Sequence, residues 1–400
     1  MSEVPEERCA VFLHPTLGLG GAERLILQAS AALRKAGWST VMLTSEYDPA
    51  RAFPVSDRED IRVVPSLVPP AIGGRFKAWC AYLRMRTAVG RLRTLEPPEL
   101  VVVDLIPHVV PLIKRLLPGV PVLVYCHFPD QLMAPAGRAW YRWYRQAFDG
   151  FERRGFEAAD AILTNSHFTR KNLLATYPSL KGSTVDVVWP GVASPQLSDP
   201  PCVEGRDAVL ALSRIHPAKN LELALEVLSS AHIPQDARLI IAGGWDPGDR
   251  SCRNEKKRLM ELAHTLGVGG RVDWKLNPSD AEMETLWQRS RVLIYPPLEE
   301  HFGLVPLEAM ARGVPVVAVN AGGPKEIVLD GITGCLREPG AAAMGAAVGR
   351  LWSDDRFWAS CSLASRDRVA ESFDLARFEQ RFQDVASWLA HSGPRTRGTS

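Results

Sequence analysis

At 400 residues the chain exceeds what one hydrophobic core usually organises, and two domains are expected. Its 47 basic and 45 acidic residues leave a net charge of +2, which argues against a dedicated nucleic-acid binder and makes any basic surface local. Seven scattered cysteines without a C-x-x-C pair offer neither a disulfide framework nor a zinc site and point to a reducing compartment, while the opening "MSEVPEER" is too acidic for a signal peptide.

Short Val, Ile and Leu runs at Ala10–His14, Val41–Thr44, Val101–Asp104 and Val120–Cys126 are separated by amphipathic stretches, the pattern of buried parallel strands alternating with helices. The most apolar stretch, 100–117, is interrupted by Asp104, Pro107, His108 and Pro111, so no membrane-spanning helix is predicted. A Pro-, Ser- and Gly-rich passage at 189–207 reads as a linker. The alternation then restarts with Val209–Ser213, Leu239–Ala242, Val272–Trp274, Val292–Tyr295 and Val314–Val319. The chain is predicted to be two α/β units in tandem, followed by one amphipathic helix, "RFEQRFQDVASWLAHSG", and a polar tail expected to be disordered.

Open α/β sheets bind ligands beyond the carboxyl ends of their strands, which directs attention to three loops. In "HPTLGLGGAERL" the first strand leads through glycines to a helix beginning at Ala22, so Gly20 and Gly21 make either an anion site or simply a tight turn. The spacing is not G-x-G-x-x-G, which makes a dinucleotide dehydrogenase a poor match. In "LSRIHPAKNLELAL" Arg214 and Lys219 follow a strand, and their tips either converge on a diphosphate or are solvated. In "EEHFGLVPLEAM" Glu300 lies in a loop after Tyr295-Pro296-Pro297, and a helix starting near Gly303 carries Glu308. Two carboxylates beside a helix start can accept sugar hydroxyls; equally, Glu308 can serve only the helix N-terminus and Glu300 only solvent.

The glutamate pair, with "GVPVVAVNAGGPKEIV" and "GITGCL" after it, resembles the donor-binding motif of retaining glycosyltransferases with the GT-B fold, the large family named for two glutamates separated by seven residues. Taken with "FLHPTLGLGGAERL", "YCHFPDQL" and "TNSHFTR", the chain is similar over about residues 10–340 to the mannosyltransferases that add the α-1,3 and α-1,6 mannoses of the dolichol-linked N-glycan precursor. The resemblance implies two Rossmann-like α/β domains facing across a cleft. An acceptor-binding domain (1–200) is followed by a nucleotide-sugar-binding domain (201–375), a helix (376–391) that returns to the N-terminal domain, and a tail (392–400). It implies GDP-mannose as donor, a dolichol-diphosphate oligosaccharide as acceptor, no bound cofactor, and Mg²⁺ acting, where it acts, without protein ligands.

Position by position, Glu308 is implied at the ribose hydroxyls, and Glu300 at the mannose hydroxyls and the charge developing on the anomeric carbon. Arg214 and Lys219 are implied at the diphosphate, with Phe302, Gly303 and Leu304 lining the donor and Gly20 and Gly21 approaching its phosphates. His127 is implied at the sugar, able to donate to a hydroxyl or carbonyl. Another retaining GT-B enzyme with a different donor and acceptor, or a non-catalytic sugar-nucleotide-binding subunit, are the competing readings. The loop "VDWKLNPSD" lacks the Phe-Leu-Gly of many relatives, and nothing around it reveals the base.

Two stretches read as surfaces for anionic lipid. In 73–93 the residues Phe76, Trp79, Cys80 and Leu83 fall at helical spacing among basic residues, and in 137–156 Trp140, Tyr144, Phe148 and Phe151 run beside Arg138, Arg142 and Arg145. The alternative is that these rings are the core face of two packed helices. With Trp143, the second stretch supplies the predicted acceptor and membrane residues Arg138, Trp140, Trp143 and Tyr144, and the resemblance implies a peripheral protein at the cytosolic face of the endoplasmic reticulum.

Overall fold

The structure is a computed structural model that describes residues 8–49, 52–55, 59–69, 71, 76–133, 139–195 and 201–394; the side chains of residue 77 and of 139–144 lie outside the description. The described residues divide at Pro190/Gly191 and at Leu375/Ala376 into two compact units, and residues 8 and 394 fall in the same one.

The first unit is built on a seven-stranded parallel sheet: β1 (Cys9–His14), β2 (Ser39–Thr44), β3 (Asp60–Val63), β4 (Leu100–Asp104), β5 (Val122–Cys126), β6 (Ala161–Thr164) and β7 (Val185–Val187). Their spatial order is β3-β2-β1-β4-β5-β6-β7. The second has six parallel strands, β8 (Ala208–Leu212), β9 (Arg238–Gly243), β10 (Val272–Leu276), β11 (Ser290–Tyr295), β12 (Val316–Val319) and β13 (Gly334–Arg337), ordered β10-β9-β8-β11-β12-β13. Strands β4, β5, β11 and β12 are buried at every position, as continuous apolar runs covered on both faces must be. In each sheet the order reverses once, between β1 and β4 and between β8 and β11, and a crevice at the strand carboxyl ends follows from that reversal.

The predicted return of the last helix is observed. Helix Leu375–Ser392 packs on the first unit, with Phe382 buried and stacked on Phe12 at 6.4 Å, and Gln383 Nε2 donates to Ala32 O at 2.7 Å. Lys35 and Glu379 pair at its edge, 2.7 Å from Nζ to Oε2.

The two stretches read as lipid-facing are helices Lys77–Gly90 and Ala139–Ala158, but much of the expected stripe faces inward. Trp79 packs against Phe148 and Phe151 at 5.3 and 5.9 Å, and Cys80 and Phe148 are buried. Arg145 is also buried and pairs with Asp130 and Asp149, both at 2.6 Å. Burying rings at helical spacing between two helices removes more apolar surface from water than leaving them at an interface, and Arg145 is consumed by its carboxylates. Phe76, Leu83 and Phe151 remain partly exposed. Arg138 and the side chains of Trp140, Arg142, Trp143 and Tyr144 lie outside the described residues.

Candidate active site

In the second unit the sheet reversal brings together the loop after β8 and the loop after β11. Backbone at the end of β9 fits tightly here: Gly243, at φ +134°, sits where an added Cβ would lie 2.0 Å from Ser213 O. Past Arg214, which is exposed, a short 3-10 turn (Pro217–Lys219) ends at Asn220 in the left-handed region, whose side-chain Nδ2 donates to Pro296 O at 3.0 Å. That contact ties the two loops together. Lys219 is thereby directed at Glu300, with Nζ to Oε2 at 2.8 Å, and the Tyr295 hydroxyl donates to the same oxygen at 2.6 Å.

Glu300 is largely enclosed. Burial alone raises its carboxyl, but Lys219, the Tyr295 hydroxyl and His301 outweigh it and hold the group below the ordinary glutamate value, so it is an anion at neutral pH. Tyr295 is pushed well above 10 by burial and by the charges of Glu300 and Glu308, and stays a donor. Both protein donors converge on Oε2, which leaves the other oxygen's lone pairs for ligand hydroxyls.

The Glu300 loop is clamped by residues that sequence reasoning left without a role. The amide of Gly323 donates to Glu300 O at 2.8 Å. A Cβ at Gly322 would fall 2.1 Å from Glu300 O, and one at Gly323 would fall 2.2 Å from Phe302 Cα, so only glycine lets the "AGG" segment lie there. Phe302 is buried against Phe373 at 6.3 Å; its side chain anchors the loop, and backbone is what it can offer a ligand. Gly303, at φ +112°, caps helix Leu304–Ala311, as the predicted helix start requires, and the first-turn amides have no intrahelical acceptor. Glu308 is half-buried within that helix.

In the first unit the same topological position holds His14 at the end of β1, Asp104 at the end of β4 and His127 just after β5. His14 Nδ1 lies 2.8 Å from Asp104 Oδ2, and His127 Nε2 lies 2.8 Å from Oδ1; the second approach is as short but less well aligned. Asp104 is fully buried, which raises a carboxyl, yet the two imidazoles, His127 foremost, bring it down to about 2. Leu105 follows at φ +63°, a conformation few non-glycine residues adopt, and it turns the chain directly after the carboxylate.

The loop bearing His127 is pinned on both sides. Thr169 Oγ1 donates to His127 O at 3.2 Å, and Ser166 caps the helix of Thr169 by accepting its amide at 3.0 Å, which gives "YCHFPDQL" and "TNSHFTR" a shared physical purpose. Buried Glu152 accepts the amides of Asp130 and Gln131 at 2.8 and 3.1 Å and the Tyr177 hydroxyl at 2.6 Å. Gly20 caps helix Gly21–Lys35, close to the expected start at Ala22, with Gly21 exposed. The Glu23 carboxylate folds over that start, 2.2 Å from where a Gly20 Cβ would be, so an anion binding there must displace it. Among the described residues no three His, Cys, Asp or Glu side chains are grouped as a metal ion would need.

Two family models match the chain: Glycosyltransferase Family 4 over residues 19–194 and Glycosyl transferases group 1 over residues 198–368. The Neurospora crassa alpha-1,3/1,6-mannosyltransferase alg-2 is 37% identical over 84% of this chain and 80% of its own length. The human alpha-1,3/1,6-mannosyltransferase ALG2 is 34% identical over 95% of this chain and 96% of its own. The chain belongs to the alpha-1,3/1,6-mannosyltransferase family. It has the GT-B fold: a sucrose-phosphate synthase from Thermosynechococcus elongatus superposes with a TM-score of 0.81 over 96% of this chain and 100% of that one, at 21% identity. For a member of the mannosyltransferase family, Glu300, Glu308, Lys219 and Arg214 are the second unit's candidate residues and His127 the first unit's. Tyr295, Asn220, Gly322, Gly323, His14 and Asp104 are additions from the structure. Polar residues ending apolar strands were the available signal for His14, Asp104 and Tyr295.

Proposed function

We propose that the chain transfers mannose from GDP-mannose to a dolichol-diphosphate-linked oligosaccharide, with retention, making both the α-1,3 and the α-1,6 linkage on one branching mannose. The observation that carries this reading is the Lys219–Glu300–Tyr295 cluster beside the start of helix Leu304–Ala311: an ionised, oriented carboxylate with a cation and free amides next to it. Glu300 accepts mannose hydroxyls and stabilises the positive charge that grows on the anomeric carbon as the bond to the GDP oxygen breaks. Arg214, Lys219 and the amides at Gly303 and Leu304 neutralise the diphosphate, and Glu308 accepts the ribose hydroxyls. The acceptor oxygen bonds to the anomeric carbon on the face the diphosphate leaves, and its proton passes to a diphosphate oxygen, so the reaction needs no enzymatic base.

The protein acts peripherally at the cytosolic face of the endoplasmic reticulum, where Phe76, Leu83 and Phe151, partly exposed, and fully exposed Leu67 meet the bilayer surface. No helix among the described residues is long and apolar enough to cross a membrane. The test is a panel of nucleotide sugars offered with lipid-diphosphate acceptors bearing a branching mannose. The expected result is transfer from GDP-mannose alone, in both linkages. Transfer from another donor rejects the donor assignment, and one linkage only, with either intermediate supplied, rejects the dual one.

A further inference from the structure

We propose that Asp104 and His14 are positioning residues that fix the tautomer of His127, so that His127 meets a substrate hydroxyl as a hydrogen-bond acceptor and not as a donor. The inference deepens the reading of His127 as a sugar-contacting residue and rests on it. Three adjacent strands, β1, β4 and β5, deliver the three side chains to one spot at their carboxyl ends. Asp104 is sealed, with no exposed surface, and each carboxylate oxygen faces one imidazole nitrogen at 2.8 Å.

An ionised carboxylate has no proton to give, so the nitrogen facing it must carry one. For His14 this puts the proton on Nδ1 and leaves Nε2 bare, and Nε2 is indeed buried without a hydrogen-bond partner. A bare ring nitrogen tolerates that burial better than an orphaned N–H, which fits a His14 whose proton sits on Nδ1 against Asp104. The low Asp104 value, about 2, fits a carboxylate that stays charged between two donors.

For His127 the approach to Asp104 is as close but poorly aligned, a charge contact more than a formed hydrogen bond, and the carboxylate still favours the proton on Nε2, the nitrogen it faces, which leaves Nδ1 bare. Its side chain keeps 18% of its surface exposed, so the ring has an outward edge, while contact with Tyr125 at 5.1 Å between ring centres and the Thr169 bond to its carbonyl limit rotation. An imidazole held this way accepts a hydrogen bond from a sugar hydroxyl and has no proton on that nitrogen to offer a carbonyl or phosphate oxygen. A carboxylate that locks an imidazole tautomer is an established way to set which nitrogen does the work, and loss of such a lock through Asp→Asn is costly even with the geometry kept.

The experiment has two arms on the full chain. In the first, ¹⁵N-histidine spectra of the unsubstituted protein at pH 8 are assigned through the signals lost in His127→Gln. The expected pattern for His127 is a protonated Nε2 and a bare Nδ1; a protonated Nδ1, as tautomer or as imidazolium, overturns the proposal. This arm needs no substrate, so it stands whether or not mannose is the transferred sugar, and it needs no Asp104 variant to fold. In the second, Asp104→Asn is expected to lower kcat about a hundredfold with donor KM within about threefold, and to shift His127 toward the Nδ1–H form. In a His127→Gln background the same change is expected to have little further effect. Full additivity of the two losses would show that Asp104 acts elsewhere, and the lock would be rejected. If no donor supports transfer by the parent, the mannosyltransferase reading fails while the spectrum still decides the lock.

Discussion

Asp104 and Glu300 are the same device built twice and finished differently. Each is a carboxylate at a sheet's topological switch point, each is kept ionised against burial, and each has two polar side chains within 2.8 Å. Asp104 divides its two neighbours between its oxygens and has no exposed surface, so nothing from solution reaches it. Glu300 takes both donors on one oxygen and leaves 17% of its side chain exposed. The difference teaches a rule for reading buried acids: a carboxylate sealed among its own protein's groups orients neighbours, and one held by a single oxygen with some surface exposed is free to act on a ligand.

The sharpest break of this comparison is Glu300→Ala. It is expected to lower kcat by about 10²–10³ while changing donor affinity only a few-fold, whereas Glu308→Ala is expected to weaken donor binding with a smaller effect on turnover. Steady-state kinetics alongside nucleotide titrations separate the two, and equal binding losses with turnover intact would reverse the roles. Next in size is Tyr295→Phe, which removes one of the donors on Glu300 and keeps the ring. We expect roughly a ten- to hundredfold loss in kcat with the fold unchanged, since one hydrogen bond to a charged group contributes about 1.5–3 kcal/mol. An unaltered rate would mean Lys219 alone holds the carboxylate.

The smallest effect concerns stability. Asp104 has a folded value near 2 against an ordinary 3.8, so its ionisation favours the folded state above pH ~4, and that contribution is lost as pH falls through 2. Urea unfolding of the parent and Asp104→Asn is expected to differ by roughly 2 kcal/mol at pH 5 and to converge toward pH 2. A gap that is constant over this range would show that the shape of the site, and not its charge, is what the substitution disturbs.

Both sheets were legible where apolar runs were long, as at β1, β4, β5, β8 and β11, because burial on both faces writes itself as uninterrupted Val, Ile and Leu. Strands β3, β6, β7 and β13 escaped: they are three or four residues long, and short runs such as Asp60–Val63 and Val185–Val187 include exposed polar positions. Glu300, Lys219 and Gly303 could be placed because local chain order puts them at a strand end and a helix start. Tyr295 lies within the same stretch, but its hydroxyl partner depends on how a loop folds back. His127 was named from the resemblance and the strand-end positions of His14 and Asp104 were visible, but their meeting was not legible, since the three are brought together by strand order and not by spacing. The aromatic stripe failed differently: Trp79 and Phe148 carry the same helical period whether they face lipid or one another, and only packing decides.

The final helix has a consequence for synthesis. Phe12, in β1, is stacked by Phe382, and the Ala32 carbonyl waits for Gln383, which is made 351 residues later. The second unit is interrupted nowhere in the chain and can fold as it emerges, but the first cannot be closed until the second has already been made. The nascent first sheet therefore carries an open apolar face throughout most of translation, and truncations that spare every candidate active-site residue but remove Leu375–Ser392 are expected to leave that face to aggregate or to be held by chaperones.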